Sequence, residues 1–361
     1  MPCLTGRKGS GVSPENKPLL HRAKQFVLHI MRAIGMFRVA RWLTADKIRI
    51  LCYHGISLND EHRFRPALFM RPETFADRIE HLAIKGYPVI SLDAACDFLE
   101  RGGAENCAVV ITIDDGWYGT YKHMLPILRR HAMPATLYVS TYYVQNQVQV
   151  FNVAVQYLIW SARRQPVELS GGPAQITDRF DLSMVAERER LFEAVIQRAS
   201  RLDGASTRQS MLNSFASSLG VGWDDAVTNR ICTFVNRDEA RQLQEAGIDL
   251  QLHTHRHRFP ANSFDLAAQE LEDNRRALSD IAPHSMAHFC YPSGVYSSEQ
   301  VAWVTSLGMR SATTTRPGLN DKSVPMGELR RFLDSDDISP IEFEAEISGL
   351  LWIVRRVFGR K

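Results

Sequence analysis

Short runs of apolar and β-branched residues recur along the chain and alternate with stretches whose apolar side chains return every three or four positions. The runs at 48–53, 108–113, 135–139, 248–252, 286–290 and 311–315 are nearly continuous, the pattern of strands buried on both faces in a parallel sheet. A further strand is expected at 88–92. Between the runs, Phe75, Ile79, Leu82 and Ile84 mark a helix over 73–85, and a short helix is expected at 92–99. Another is expected over 118–131, with Pro126 as a kink, and an amphipathic one over 265–281. Strands that alternate with helices predict parallel pairing and an α/β fold of barrel type.

The interval 145–235 breaks this rhythm. Its periodicity is helical at 153–163, 185–202 and 206–219 with little strand character, so it reads as a helical insertion in a barrel that runs from 48 to 340. Such an insertion either walls a substrate groove or is a structural excursion. Residues 1–20 are rich in Gly, Ser, Pro and Lys and are expected to be disordered. Residues 21–47 form an arm whose helix, 21–43, places Phe26, Val27, Ile30, Met31, Ile34, Phe37 and Trp42 at helical spacing among arginines. Residues 1–49 hold ten Lys/Arg against two Asp/Glu. That helix either lies on an anionic membrane surface or packs on the barrel with its arginines solvated. A C-terminal helix, 343–358 within the segment 341–361, ends in the basic cluster Arg355, Arg356, Arg360 and Lys361.

Composition narrows the class without deciding it. With 361 residues and 45% hydrophobic content the chain can bury a large core. A net charge of +3 is small; nucleic acid is not an expected partner. The six cysteines (Cys3, Cys52, Cys96, Cys107, Cys232, Cys290) show no C-x-x-C spacing, which suits reduced, buried thiols in the cytoplasm. No stretch has signal-peptide or membrane-spanning quality. The expected location is therefore cytoplasmic, with peripheral contact on the inner face of the membrane through the basic ends.

The chemistry collects at strand ends. The run 108–113 delivers Asp114-Asp115-Gly116, two carboxylates that repel each other and suit a cation; a solvated turn is the plainer alternative. The run 248–252 delivers His253, His255 and His257, three of the chain's twelve histidines. His253 and His257 can close on one ion from a tight turn or a first helical turn. Two histidines and a carboxylate leave a coordination position for water, as in hydrolytic rather than structural sites. The first strand delivers Tyr53-His54-Gly55, and a lone strand-end histidine of this kind is most often structural.

Thr112-Ile113-Asp114-Asp115-Gly116 and His253-Thr254-His255-Arg256-His257 resemble the first two motifs of the polysaccharide deacetylases, carbohydrate esterase family four, with their nodulation-type deacetylase domain. Phe289-Cys290-Tyr291-Pro292-Ser293-Gly294 is similar to the F-x-Y-P-x-G variant of the third motif. The resemblance covers residues 48–140 and 236–333 and implies a distorted (β/α) barrel that removes N-acetyl groups from amino sugars of a polysaccharide or lipid-linked glycan. It implies that Asp115, His253 and His257 hold a divalent metal, zinc above others, and that Asp114 is the general base. It also assigns the oxyanion and substrate side to Tyr291, Ser293 with its neighbouring backbone N–H, and Arg331. Two positions depart from the family. Cys290 stands where an arginine usually pairs with the base, and Arg331 is the candidate replacement. No histidine follows His288, so the general acid falls to His54, as in a subset with Tyr-His on the first strand, with His255 as runner-up. Without such an acid the chain would be a sugar-binding relic, and an amidase acting on a small non-sugar amide is the third possibility.

Overall fold

A computed structural model describes residues 17–102, 106–171, 176–202, 204–283 and 286–359. Its centre is a sheet of seven parallel strands: β1 (Arg49–Tyr53), β2 (Val109–Ile113), β3 (Ala135–Val139), β4 (Ile248–Leu252), β5 (His288–Cys290), β6 (Ser311–Thr313) and β7 (Phe332–Leu333). They pair in the order β6-β5-β4-β3-β2-β1-β7, and the sheet curls into a half-barrel. Residues Arg49 to Tyr53 align with Val109 to Ile113 without a slip. Every residue of β1, β2 and β3 is buried, which is why their sequences run apolar rather than alternating. The fold is thus the barrel-like α/β fold that the strand and helix pattern predicts.

One segment draws the two sheet edges together. Leu329 bonds with β6, its amide on Ala312 O and its carbonyl under the amide of Thr314, both 2.9 Å. Three residues later Phe332 pairs with Leu51 of β1. Arg331 lies between these two attachments.

Several elements differ from the sequence pattern for identifiable reasons. The expected strand at 88–92 contracts to Val89, bridged to Val109, because Pro88 offers no N–H and Ser91 already caps the helix Leu92–Arg101. The 118–131 helix is a π-helical turn, Thr120–Met124, running into the α-helix Leu125–Arg130 with Pro126 in its first turn. The insertion is not purely helical: Pro166–Gly171 and Ile176–Asp181 form an antiparallel hairpin. Its alternation is short (Val167, Leu169 and Phe180 buried, Glu168 and Arg179 outward), and flanking helical patterns mask it.

Both terminal helices break at glycine. The N-terminal one divides into α1 (Lys17–Ala33) and α2 (Met36–Leu43) at Gly35, φ 82°. Of residues 1–20, where disorder is expected, 17–20 instead form the first turn of α1, and 1–16 lie outside the described residues. After α3 (Phe264–Ser279), capped by Ser263, the C-terminal helix divides into α4 (Pro340–Ile347) and α5 (Leu350–Val357) at Gly349, φ 83°. A Cβ at Gly349 would lie 2.5 Å from Thr44 Oγ1, so the crossing of α2 and α5 requires glycine there. Among the described residues no helix is long and apolar enough to cross a membrane.

Arg49 ties this helical layer to the barrel. Its guanidinium is buried and donates to Ile347 O (2.7 Å), Thr44 O (3.0 Å), Lys47 O (2.7 Å) and Thr44 Oγ1 (2.5 Å). The Thr44 and Ile347 carbonyls belong to the C-terminal ends of α2 and α4, where the helix dipole is negative and a cation is favoured. Arg49→Met keeps the volume but strands these acceptors. Its urea-unfolding free energy should fall by about 3 kcal/mol, with little change in the slope of the transition.

Candidate active site

The site is built at the carboxyl ends of β1, β2, β4 and β5. Asp114 extends the β1–β2 ladder by one bond, its amide on Tyr53 O at 2.9 Å. Asp115 then turns left-handed, φ 76°, followed by Gly116 at φ 104°. This turn gives two adjacent buried carboxylates separate partners.

Asp115 takes the histidines. Its Oδ1 lies 3.2 Å from His253 Nε2 and 3.2 Å from His257 Nε2, and its Oδ2 accepts from Trp117 Nε1 at 2.8 Å. Burial works to raise its pKa, but the bonds from His253 and His257 outweigh it and hold the carboxyl well below the usual range. His253 is fixed from behind: Nδ1 faces Cys290 O at 2.8 Å, and its amide donates to Asn274 Oδ1 at 2.9 Å. The loop that returns His257 is a tight turn rather than a helix, with Thr254 (φ 62°) and His257 (φ 55°) both left-handed. Left-handed non-glycine residues are costly and persist where neighbours over-determine them. The three donor atoms lie within 4.8 Å of one another, a hard carboxylate and two imidazoles around one point. This donor set fits a divalent ion of the zinc type.

Asp114 takes Arg331. The fork donates to Oδ1 at 2.7 Å and to Oδ2 at 2.8 Å, while Nε bonds Thr314 O (2.9 Å) and Nη1 also bonds Thr112 Oγ1 (3.1 Å). Burial alone would raise the Asp114 pKa; the Arg331 charge and hydrogen bonds override it and hold the carboxyl well below the carboxylate range. Cys290 of β5 brings Sγ within 3.4 Å of Asp114 Oδ2, and Cys52 Sγ stands 3.6 Å from the same oxygen. Arg331 therefore faces the carboxylate of Asp114 rather than open solvent.

The remaining candidates divide. His54 is brought in: its Nε2 is 3.8 Å from Asp114 Oδ2 and its side chain is one-fifth exposed. Burial lowers its pKa against the pull of Asp114 and Asp115. His255 is turned aside, with Nδ1 2.9 Å from Thr141 Oγ1 and its ring edge-on to Tyr142. Tyr291 is buried, stacked on Tyr296 at 4.6 Å, and its hydroxyl donates to Gly327 O at 3.0 Å. Ser293, φ 59°, is exposed at the tip of the turn that follows β5.

Trp117, Asn274 and Cys52 belong to the site but carry no family signature in the residues read above. Asn274 was detectable: it is a polar residue between Leu271 and Leu278 on the buried face of α3, where only a hydrogen-bonding duty is tolerated. It binds Val139 O (2.9 Å) and Thr141 Oγ1 (3.0 Å) as well as His253. Trp117 and Cys52 gave no signal, since either reads as core.

Residues 101–170 and 219–312 match the family model described as polysaccharide deacetylase. No curated protein matches the chain by sequence. The fold is similar to that of the Streptococcus pyogenes deacetylase PplD, solved in complex with acetate (TM-score 0.55, 17% identity, 83% of this chain and 98% of that one). It is also similar to IcaB from Ammonifex degensii (0.53, 16%, 84% and 97%). A third similar fold is that of a de-N-acetylase from Aggregatibacter actinomycetemcomitans (0.51, 13%, 83% and 100%). At these identities the likeness is one of fold.

Arg331→Met leaves a buried carboxylate unpaired, so it should cost about 3–5 kcal/mol in chemical unfolding. Adding Asp114→Asn should restore part of the loss. A double variant no more stable than the single would show that the two groups are not coupled.

Proposed function

We propose that this chain, which carries a polysaccharide deacetylase domain, hydrolyses N-acetyl groups on amino-sugar residues of a glycan. One observation carries the reading: a three-donor cluster (Asp115, His253, His257) stands beside a carboxylate–imidazole pair (Asp114, His54) at neighbouring strand ends. Asp115, His253 and His257 would hold a divalent ion, zinc in our reading. When bound, it supplies Lewis acidity toward water and toward the acetyl carbonyl.

The chain's own groups manage the proton. Asp114 is the acceptor for the proton of the attacking water, oriented by the Arg331 fork. Arg331 also keeps the proton affinity of Asp114 low, so the carboxylate is a relay rather than a store. Burial leaves His54 neutral at rest, ready to take that proton across its 3.8 Å separation from Asp114 and deliver it to the amine as the C–N bond breaks. The balance closes: hydroxyl joins the acyl carbon, one proton joins nitrogen, and acetate and a free amino sugar leave. A backbone N–H of the turn at Ser293 faces the developing oxyanion. Tyr291, its hydroxyl engaged by Gly327, shapes that turn instead of bonding the substrate. We read the protein as cytoplasmic, on the five described cysteines, all free and buried.

Purified protein should carry about one divalent ion per chain. His253→Ala or His257→Ala should lower that content below a tenth of wild type in elemental analysis; full occupancy in both variants would remove the ligand assignment.

Asp114→Asn and His54→Ala should keep the metal. Each should lower release of acetate from N-acetylglucosamine oligomers by about a hundredfold or more. On an activated phenyl acetate, whose leaving group needs no proton, His54→Ala should lose far less. Equal losses on both substrates would reassign His54 to positioning.

A further inference from the structure

The surface of α1 and α2 that faces away from the barrel is apolar, although helices of this kind ordinarily turn polar residues outward. α1 is anchored by buried Leu28 and by ion pairs from Lys24 to Glu342 (2.6 Å) and Arg32 to Glu344 (3.1 Å). At about 3.6 residues per turn, Phe26, Ile30 and Ile34 fall on the opposite side. They are exposed there, Phe26 by 67% and Ile34 by 69%. On α2, Phe37 and Ala40 are buried, while Val39 and Trp42 point outward, Trp42 76% exposed. Just past α5, Phe358 is 75% exposed. Apolar surface gathered in this way marks a site of association.

Charge selects the partner. Residues 17–45 contain six Lys/Arg and residues 350–361 contain four, with no Asp or Glu in either segment; Lys24, Arg32 and Arg355 pair with Glu342, Glu344 and Glu346 of α4, and the other cations stand in excess. Arg38 and Arg41 line, with Trp42 and Tyr87, a cleft of about 780 Å³ beside α2. Arg41 is held over the Tyr87 ring at 3.9 Å by the carbonyls of Lys85 and Gly86 (2.7 and 2.8 Å). Among the described residues neither guanidinium has a carboxylate partner. A second copy of the chain would bring two such cationic faces together, which Coulomb repulsion opposes.

We propose that α1, α2 and the end of α5 dock on an anionic phospholipid bilayer. The apolar stripes enter the headgroup boundary, Trp42 sits at that level, and the arginines of the cleft meet lipid phosphates. The docking face and the catalytic mouth lie at opposite ends of the barrel. Trp42 borders a cleft with Pro88, Asn106 and Cys107, at the beginning of β2, whereas Asp114 and Asp115 leave the finish of β2. On the deacetylase reading, a docked molecule therefore presents its site to a glycan that extends away from the lipid.

The test uses the full chain and vesicle co-sedimentation, without metal or substrate, so its failure is distinct from failure of the deacetylase reading. At low salt the protein should bind phosphatidylglycerol–phosphatidylcholine vesicles at least tenfold more tightly than phosphatidylcholine alone, and added salt should release it. The double variant Ile30→Asp, Trp42→Asp should lose at least tenfold in binding while its unfolding midpoint stays at the wild-type value, because both side chains are exposed. Arg38→Glu should weaken binding in the same direction. Absence of binding to the anionic vesicles, or a double variant that binds like wild type, would overturn the proposal. So would a dimer in sedimentation equilibrium that the same double variant disperses and that does not bind vesicles.

Discussion

The buried pair of Arg331 and Asp114 is the constraint on which the site depends. Two consecutive carboxylates at one strand end would repel strongly once desolvated, and the protein separates their fates. Asp114 is neutralised by a guanidinium 217 positions away, and Asp115 faces two imidazoles instead. The left-handed turn at Asp115 makes the division possible, and Trp117 holds it from the side. Arg331 reaches Asp114 only because residues 329–333 bond to both edges of the sheet, so closing the barrel and charging the site are one structural event.

The insertion contributes to the same event. Its returning end donates the Val235 amide to Gly116 O at 2.9 Å and packs Phe234 on the Trp117 ring at 4.8 Å. Trp117 in turn bonds Asp115. An element that reads in sequence as either a groove wall or a structural excursion thus buttresses the turn that aims a metal-ligand candidate. The terminal helices do a comparable service at the other end of β1, where Arg49 replaces a carboxylate partner with helix-end carbonyls and joins both termini to the first strand.

Cys290 on β5, where the family resemblance leads one to expect an arginine, shows how a charge requirement can be met from elsewhere. Cys290 is small enough to leave the Asp114 carboxylate open to Arg331, and its sulfur accepts from the same guanidinium at 3.1 Å. An arginine at 290 and one at 331 would put two cations on one carboxylate. The cation that β5 omits is the one that the segment before β7 supplies.

Much was legible in the sequence by itself because its causes are local. Continuous apolar runs announce strands buried on both faces, and the boundaries of β3 and β4 coincide with their runs because nothing else interrupts burial there. The acidic pair and the histidine triplet are legible for the same reason: each sits within a few residues of a strand end. The breaks at Gly35 and Gly349 do not show in the pattern because apolar periodicity continues across them; at Gly349 it is the crossing of α2 with α5 that demands glycine. The hairpin in the insertion was too short to outweigh its helical flanks. What the tertiary structure alone decided is which groups meet. His54 rather than His255 stands beside Asp114, Tyr291 commits its hydroxyl to Gly327, and Arg331 comes to Asp114. These outcomes depend on strand order and on the curl of the sheet, which bring together residues two hundred positions apart, and no local pattern encodes a distance across a half-barrel.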